Sequence, residues 1–260
     1  MAIIVCPQPL AAEVGLEVMR RGGNAVDAAV TCAFVQGVID PQMCGIGGCG
    51  VMLVHSPEGG DSVLEFYGTA GALVREDQWE SIFIREAADR YGYVLDGGLH
   101  EALTRFGSIT WEEAIEPAIP LARDGFPVTG YVHGFWTTDY GPDVVPNARR
   151  IQATPAAKAL YTRDGALYGI GETMVQADLA RTLERLAAEG PSAFYRGEIA
   201  DAIAADFAAH GGFITKQDLE SYRVNVTEPI RGTYRGLQVV AAGPPAGGLT
   251  LLQMLNFLEG

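Results

Sequence analysis

Gly22-Gly23-Asn24-Ala25-Val26-Asp27-Ala28-Ala29-Val30, followed by Asp40-Pro41-Gln42-Met43-Cys44-Gly45-Ile46-Gly47-Gly48-Cys49-Gly50-Val51-Met52-Leu53-Val54-His55, reads in order as a glycine stop, a helix, a turn, a glycine loop and a strand. Gly22 and Gly23 end a preceding helix, because glycine enters the left-handed conformation without a steric penalty. Asn24 is placed to cap the next helix, with Asp27 at N3 facing its unpaired amides. The span 25–38 is small and apolar almost all round, which predicts a helix buried on most faces. Asp40-Pro41 breaks it.

Gly45-x-Gly47-x-x-Gly50 matches a dinucleotide-binding pattern letter for letter. That pattern requires a strand before it and a helix after it, so that a helix N-terminus meets the pyrophosphate. Here the helix comes first and the strand second. The order favours a loop that lets backbones approach closely, and no cofactor is expected.

Outward from this stretch, Leu10, Val14 and Val18 recur at helical spacing before it, with Glu17 and Arg21 as an i,i+4 pair. Residues 51–55 and 62–67 form a predicted hairpin around Pro57-Glu58-Gly59-Gly60, with imperfect alternation that predicts cover on both faces. A helix is expected over 73–90 and another over 99–106. Thr110-Trp111-Glu112-Glu113 is a capping box opening two short helices, 111–116 and 117–124, divided at Pro117. The span 127–155 reads as loop-rich, with Tyr131, Phe135, Trp136 and Tyr140 either lining a pocket or anchoring the loop. A hairpin over 161–171, helices over 178–189, 198–210 and 217–222, a hairpin of 229–232 with 237–242, and a final helix over 249–258 complete the reading.

Forty-eight per cent hydrophobic and 19% charged residues describe a globular chain of 260 residues, long enough to bury a full core as one domain. A net charge of −14 opposes binding to nucleic acid or to an anionic membrane surface. No apolar run approaches the roughly 20 residues of a membrane span. The start at Met1, without a secretory signal, reads as cytoplasmic. Cys44-x4-Cys49 lacks a second ligand pair, since His55, His100, His133 and His210 are scattered. Cys6, Cys32, Cys44 and Cys49 therefore read as small buried thiols, and no metal is expected.

The 22–55 stretch, Glu116 to Phe126, and the segments from Asp178 onward resemble the large subunit of the gamma-glutamyltranspeptidase family. The resemblance implies an α+β fold, the large-subunit part of the four-layer αββα sandwich of N-terminal nucleophile hydrolases. It implies a precursor that cuts itself, and a small subunit from that precursor whose N-terminal threonine is the nucleophile. Residues 1–260 would then be a single domain that completes its fold with that partner, and no catalytic residue is expected in this chain. A dimer of heterodimers stays open. The substrate implied is a small acyl or amino-acid-like molecule.

One departure matters most. Glutamyl-transferring members end the second strand with Arg-Glu-x-Ala-Pro, whose arginine holds the glutamyl α-carboxylate. Here Tyr67 stands at the arginine position, Gly68 at the glutamate and Gly71 at the proline. A phenol offers one neutral donor, whereas a guanidinium fork matches a planar carboxylate. Tyr67 and Thr69 are accordingly the expected substrate-binding residues of an altered acyl pocket. The alternatives are a packed Tyr67 with Arg75 or another residue as clamp, a member cleaving a C–C bond next to a carbonyl in small-molecule biosynthesis, and a non-catalytic relative. The span 94–99 is also remodelled relative to the family. Thr250 is a second hydroxyl without a visible partner.

Overall fold

The computed structural model describes residues 2–75, 98–141 and 145–260. Residues 76–90 of the helix expected over 73–90, and most of the 94–99 segment, lie outside these residues. The first helix, α1 (Pro9–Arg20), opens on its proline and leads through Gly22, at φ 99°, into α2 (Ala25–Ile39). The capping box is present as read: the Asn24 side chain accepts from Val26 N (2.8 Å) and Asp27 N (3.1 Å), and Asp27 accepts from Asn24 N (2.8 Å). Helix α2 is the central rod. Eleven of its 15 residues are buried, including Val30, Phe34, Val35 and Val38, because small side chains on every face let neighbours approach from all sides.

Two strands follow, β1 (Gly50–Ser56) and β2 (Gly60–Phe66), paired antiparallel in a register that sets Gly50 opposite Phe66 and Ser56 opposite Gly60. Strand β2 carries buried Val63, Leu64 and Phe66. The expected cover on both faces does not hold for β1, whose Val51 and Leu53 are exposed. Alternation along β1 is that of a strand with one open face.

Helix α3 (Gly98–Phe106) lies on both strands. A Cβ at Gly98 would fall 2.1 Å from the Phe66 ring, so only glycine lets this helix seat against β2. The capping box at Thr110 starts α4 (Trp111–Ile115), and α5 (Ala118–Arg123) follows after Pro117. Helices α1, α3, α4 and α5 all pack on α2.

The span read as loop-rich is partly helical. After β3 (Phe126–Pro127), Thr129 caps α6 (Gly130–Thr137), and α7 (Asn147–Ile151) and α8 (Pro155–Tyr161) follow. Trp136 is fully buried and meets Tyr161 edge-on at 5.5 Å, while Tyr131 and Tyr140 are exposed. Trp136 is thus a core residue, unlike the exposed Tyr131 and Tyr140. The expected hairpin is present as β4 (Thr162–Arg163) with β5 (Ala166–Leu167), and β6 (Thr173–Met174) pairs with β3.

Helices α9 (Ala177–Glu189), α10 (Ser192–Tyr195), α11 (Glu198–Ala209) and α12 (Lys216–Ser221) lead to β7 (Asn225–Thr227), which pairs with β2. The largest sheet among the described residues therefore runs β1-β2-β7, with β1 at its edge. Strands β8 (Ile230–Tyr234) and β9 (Leu237–Ala241) form a separate hairpin, against which α13 (Gly248–Glu259) packs. No helix among the described residues is long and apolar enough to cross a membrane.

Asp27 does more than cap. It is fully buried and also accepts from Ser108 N (2.8 Å), Ser108 Oγ (2.5 Å) and Ile109 N (3.3 Å), while Asn24 Nδ2 donates to Phe106 O (2.7 Å). The start of α2 is thereby tied to the connection between α3 and α4. Burial pushes the Asp27 carboxyl up, but the hydrogen bonds from Ser108, Asn24 and Ile109 outweigh it and hold it below its ordinary value. A depressed carboxylate contributes stability above the unfolded pKa and loses it as pH falls through the folded one. Asp27→Asn is expected to lower stability at pH 7 by about 2–3 kcal/mol in urea titrations. The gap to the native protein should narrow below about pH 4. Equal stability at neutral pH would contradict this assignment.

Candidate functional site

Strand β2 delivers its C-terminal end to the open end of the hairpin. The register ends with Gly50 opposite Phe66, and just past it Tyr67 comes close enough to Cys49 for the thiol to bear on its phenol. The half-buried Tyr67 phenol is raised above its ordinary value by burial, then by the Glu65 carboxylate and by Cys49. It is therefore a neutral hydrogen-bonding group at physiological pH, with no charge to offer a carboxylate. Thr69 is exposed two residues further on.

This strand end is gripped from the other side of the sequence. Tyr222 Oη donates to Tyr67 O (3.3 Å), and Ala72 N donates to Asp218 Oδ1 (2.9 Å). A Cβ at Gly71 would lie 2.0 Å from Phe213 O, so the two backbones touch where a side chain could not fit. Thr215 and Asp218 form a capping box at the start of α12. Burial raises the Asp218 carboxyl, but bonds from the Thr215 hydroxyl and N–H and from Ala72 N–H win and hold it below the ordinary value.

The hydroxyls and thiols are otherwise dispersed. Thr250 is exposed in the first turn of α13. Cys32 is buried and its thiol is pushed up to about 11, chiefly by burial and then by Cys6. The Cys44 thiol, raised by burial and by Asp40, accepts from Gln36. Cys49, read as buried, is exposed. Among the histidines, His55 contacts Asp61 (2.7 Å), His210 sits beside Asp206 (3.2 Å), and His100 stacks edge-on against Trp111 (5.2 Å) with burial lowering its pKa. Among the described residues no hydrogen bond joins a serine, threonine or cysteine side chain to a histidine. The Ser–Asp and Thr–Asp pairs that do occur are the Asp27 and Asp218 caps.

Two surfaces are left unfinished. A groove of about 530 Å³ runs along β1, lined by Asn24, Ala29, Leu53, His55, Arg105 and Phe106. On α13, Leu252 is buried while Leu249, Leu251, Met254, Phe257 and Leu258 are exposed. Apolar exposure on this scale, together with a strand that has one partner among the described residues, marks contact surface.

A central buried helix, a glycine loop feeding an antiparallel hairpin and a short sheet with an open edge give the large-subunit part of the αββα fold of N-terminal nucleophile hydrolases. The chain belongs to the gamma-glutamyltranspeptidase family, whose model, described as Gamma-glutamyltranspeptidase, matches residues 11–260. It is 37% identical to the glutathione hydrolase proenzyme of Escherichia coli (strain K12) over 96% of this chain and 43% of the relative. It is 35% identical to the Acylase ACY 1 proenzyme of Pseudomonas sp. (strain V22) over 99% of this chain and 48% of the relative. The crystal structure of Helicobacter pylori gamma-glutamyltranspeptidase superposes with a TM-score of 0.89 at 31% identity, covering 99% of this chain and 74% of that one. The chain thus spans less than half the length of these curated relatives.

The close backbone approach at Gly71 gives a direct check. Gly71→Ala is expected to destabilise the protein by about 1–3 kcal/mol, the usual cost of forcing a methyl into filled space. Unchanged urea and thermal midpoints would contradict the packing of Gly71 on Phe213.

Proposed function

We propose that this chain is the large subunit of an amide hydrolase or acyltransferase whose nucleophile is the N-terminal threonine of a small subunit released from the same precursor. The observation that carries this reading is the family match over residues 11–260. The edge of β1, unpaired among the described residues, and the apolar face of α13 support it, since both offer surface to a partner chain. In this mechanism the threonine hydroxyl attacks the substrate carbonyl and its own α-amine takes the proton. Backbone N–H groups hold the oxyanion, and water or an amine then releases the acyl group.

The end of β2 forms one wall of the acyl pocket. With Tyr67 in place of a guanidinium, that wall favours acyl donors that do not present the charged glutamyl α-carboxylate at this point. Thr69, two residues on, supplies a hydroxyl to the same wall. The acylase among the relatives supports an acyl range in the family beyond the substrate named for the glutathione hydrolase.

The test is turnover of an acyl-p-nitroanilide panel by the mature enzyme. Hydrolysis of non-glutamyl acyl groups is expected, with weak transfer from gamma-glutamyl-p-nitroanilide. Tyr67→Arg should raise kcat/KM for the gamma-glutamyl donor by roughly ten- to a hundredfold, the equivalent of one charge-assisted hydrogen bond. Efficient gamma-glutamyl transfer by the native enzyme at micromolar KM would contradict the altered pocket.

A further inference from the structure

The segment from Tyr67 to Ala72 leaves β2: the register with β1 ends at Phe66 opposite Gly50, and that with β7 ends at Glu65 opposite Asn225. Beyond Phe66 the continuous ladder gives way to an isolated bridge at Thr69. Three contacts from one distant stretch hold the two ends of the segment on either side of that bridge: Asp218 Oδ1 on Ala72 N, Tyr222 Oη on Tyr67 O, and the Phe213 carbonyl against Gly71. The stretch that supplies them is itself rigid. Asp218 is fixed by bonds from Thr215 N (2.7 Å) and Thr215 Oγ1 (2.6 Å), and Tyr222 is buried and stacked on Tyr195 at 6.0 Å with ring planes 6° apart.

We propose that Asp218 and Tyr222 are positioning residues for acyl specificity, holding the backbone of residues 67–72 so that the Tyr67 side chain is presented at a fixed depth in the acyl pocket. This rests on the reading of the β2 end as a pocket wall. The bonds from Asp218 and Tyr222 fall on main-chain atoms of that wall. Their effect is therefore on where the wall stands, and it falls on acyl groups of different length unequally. Asp218 serves two purposes at once. One carboxylate oxygen takes Ala72 N–H, and the other takes the Thr215 N–H and hydroxyl. That division lets the two purposes be separated by mutation.

The experiment uses the mature two-chain enzyme and four variants. Asp218→Ala removes both purposes. Asp218→Asn keeps an oxygen for Ala72 N–H but loses the second acceptor of the cap. Thr215→Ala weakens the cap and leaves Ala72 bonded. Tyr222→Phe removes only the hydroxyl. Each is measured for thermal midpoint, for the ratio of kcat/KM between a short and a long acyl-p-nitroanilide, and for hydrogen exchange at the Ala72 amide. Asp218→Ala should shift the acyl ratio about tenfold, mainly through KM, and speed Ala72 exchange by a similar factor. Tyr222→Phe should shift the ratio roughly two- to tenfold. Asp218→Asn and Thr215→Ala should lower the midpoint while leaving ratio and exchange near native values.

If all four variants lower the midpoint and none moves the ratio, the role is structural only and the proposal fails. It fails equally if Ala72 exchange is unchanged in Asp218→Ala. Absence of turnover on every acyl amide by the native enzyme, with Ala72 exchange still accelerated in Asp218→Ala, would overturn the acyl-pocket reading and leave a structural anchor alone.

Discussion

The carboxylate of Asp27 joins what would otherwise be separate packing units. It caps α2 at one oxygen and, through Ser108 and Ile109, receives the connection that carries the chain from α3 to α4. A buried charge is tolerated only where hydrogen bonds satisfy it, and here backbone and hydroxyl donors do so from two directions. With that junction fixed, α2 can be surrounded by α1, α3, α4 and α5, and α3 can lie across the hairpin. Phe66, held beneath Gly98, then sets where β2 ends. The candidate pocket wall begins one residue later. Its position is thus inherited from the helical core on one side and from α12 on the other.

The same architecture leaves a deficit. Strand β1 has a partner on one side only among the described residues, and Val51 and Leu53 point outward from it. Helix α13 buries Leu252 and exposes a row of larger apolar side chains. Neither feature suits a surface meant for water. Both are accounted for if further protein completes the sheet and covers the helix, as the longer relatives allow.

What was legible in the sequence was local. The Asn24–Asp27, Thr110–Glu113 and Thr215–Asp218 boxes, the α2 rod and the 50–66 hairpin each follow from residues within a few positions of one another. What was missed was spread along the chain. Asp27 was visible as a cap, but its bonds to Ser108 span 81 positions. Tyr67 was visible as a strand-end residue of unusual type, yet the contacts that fix it and its neighbours come from 155 and 146 positions away. Asp218 was explained by its local cap, which hid its second partner. Helix α6 was missed because Gly130, Gly134 and scattered aromatics mask its period. In the structure it opens at a Thr129 cap, and Trp136 in that helix belongs to the core.

The central claim is that this chain works as one half of a processed pair. Its most direct test is intact-mass analysis with N-terminal sequencing of every polypeptide obtained when the full precursor is expressed. The account predicts two chains in equal amount, the second beginning with threonine and remaining bound to this one. A single uncut polypeptide that nevertheless hydrolyses amides, or a second chain beginning with a residue that carries no nucleophile, would contradict it.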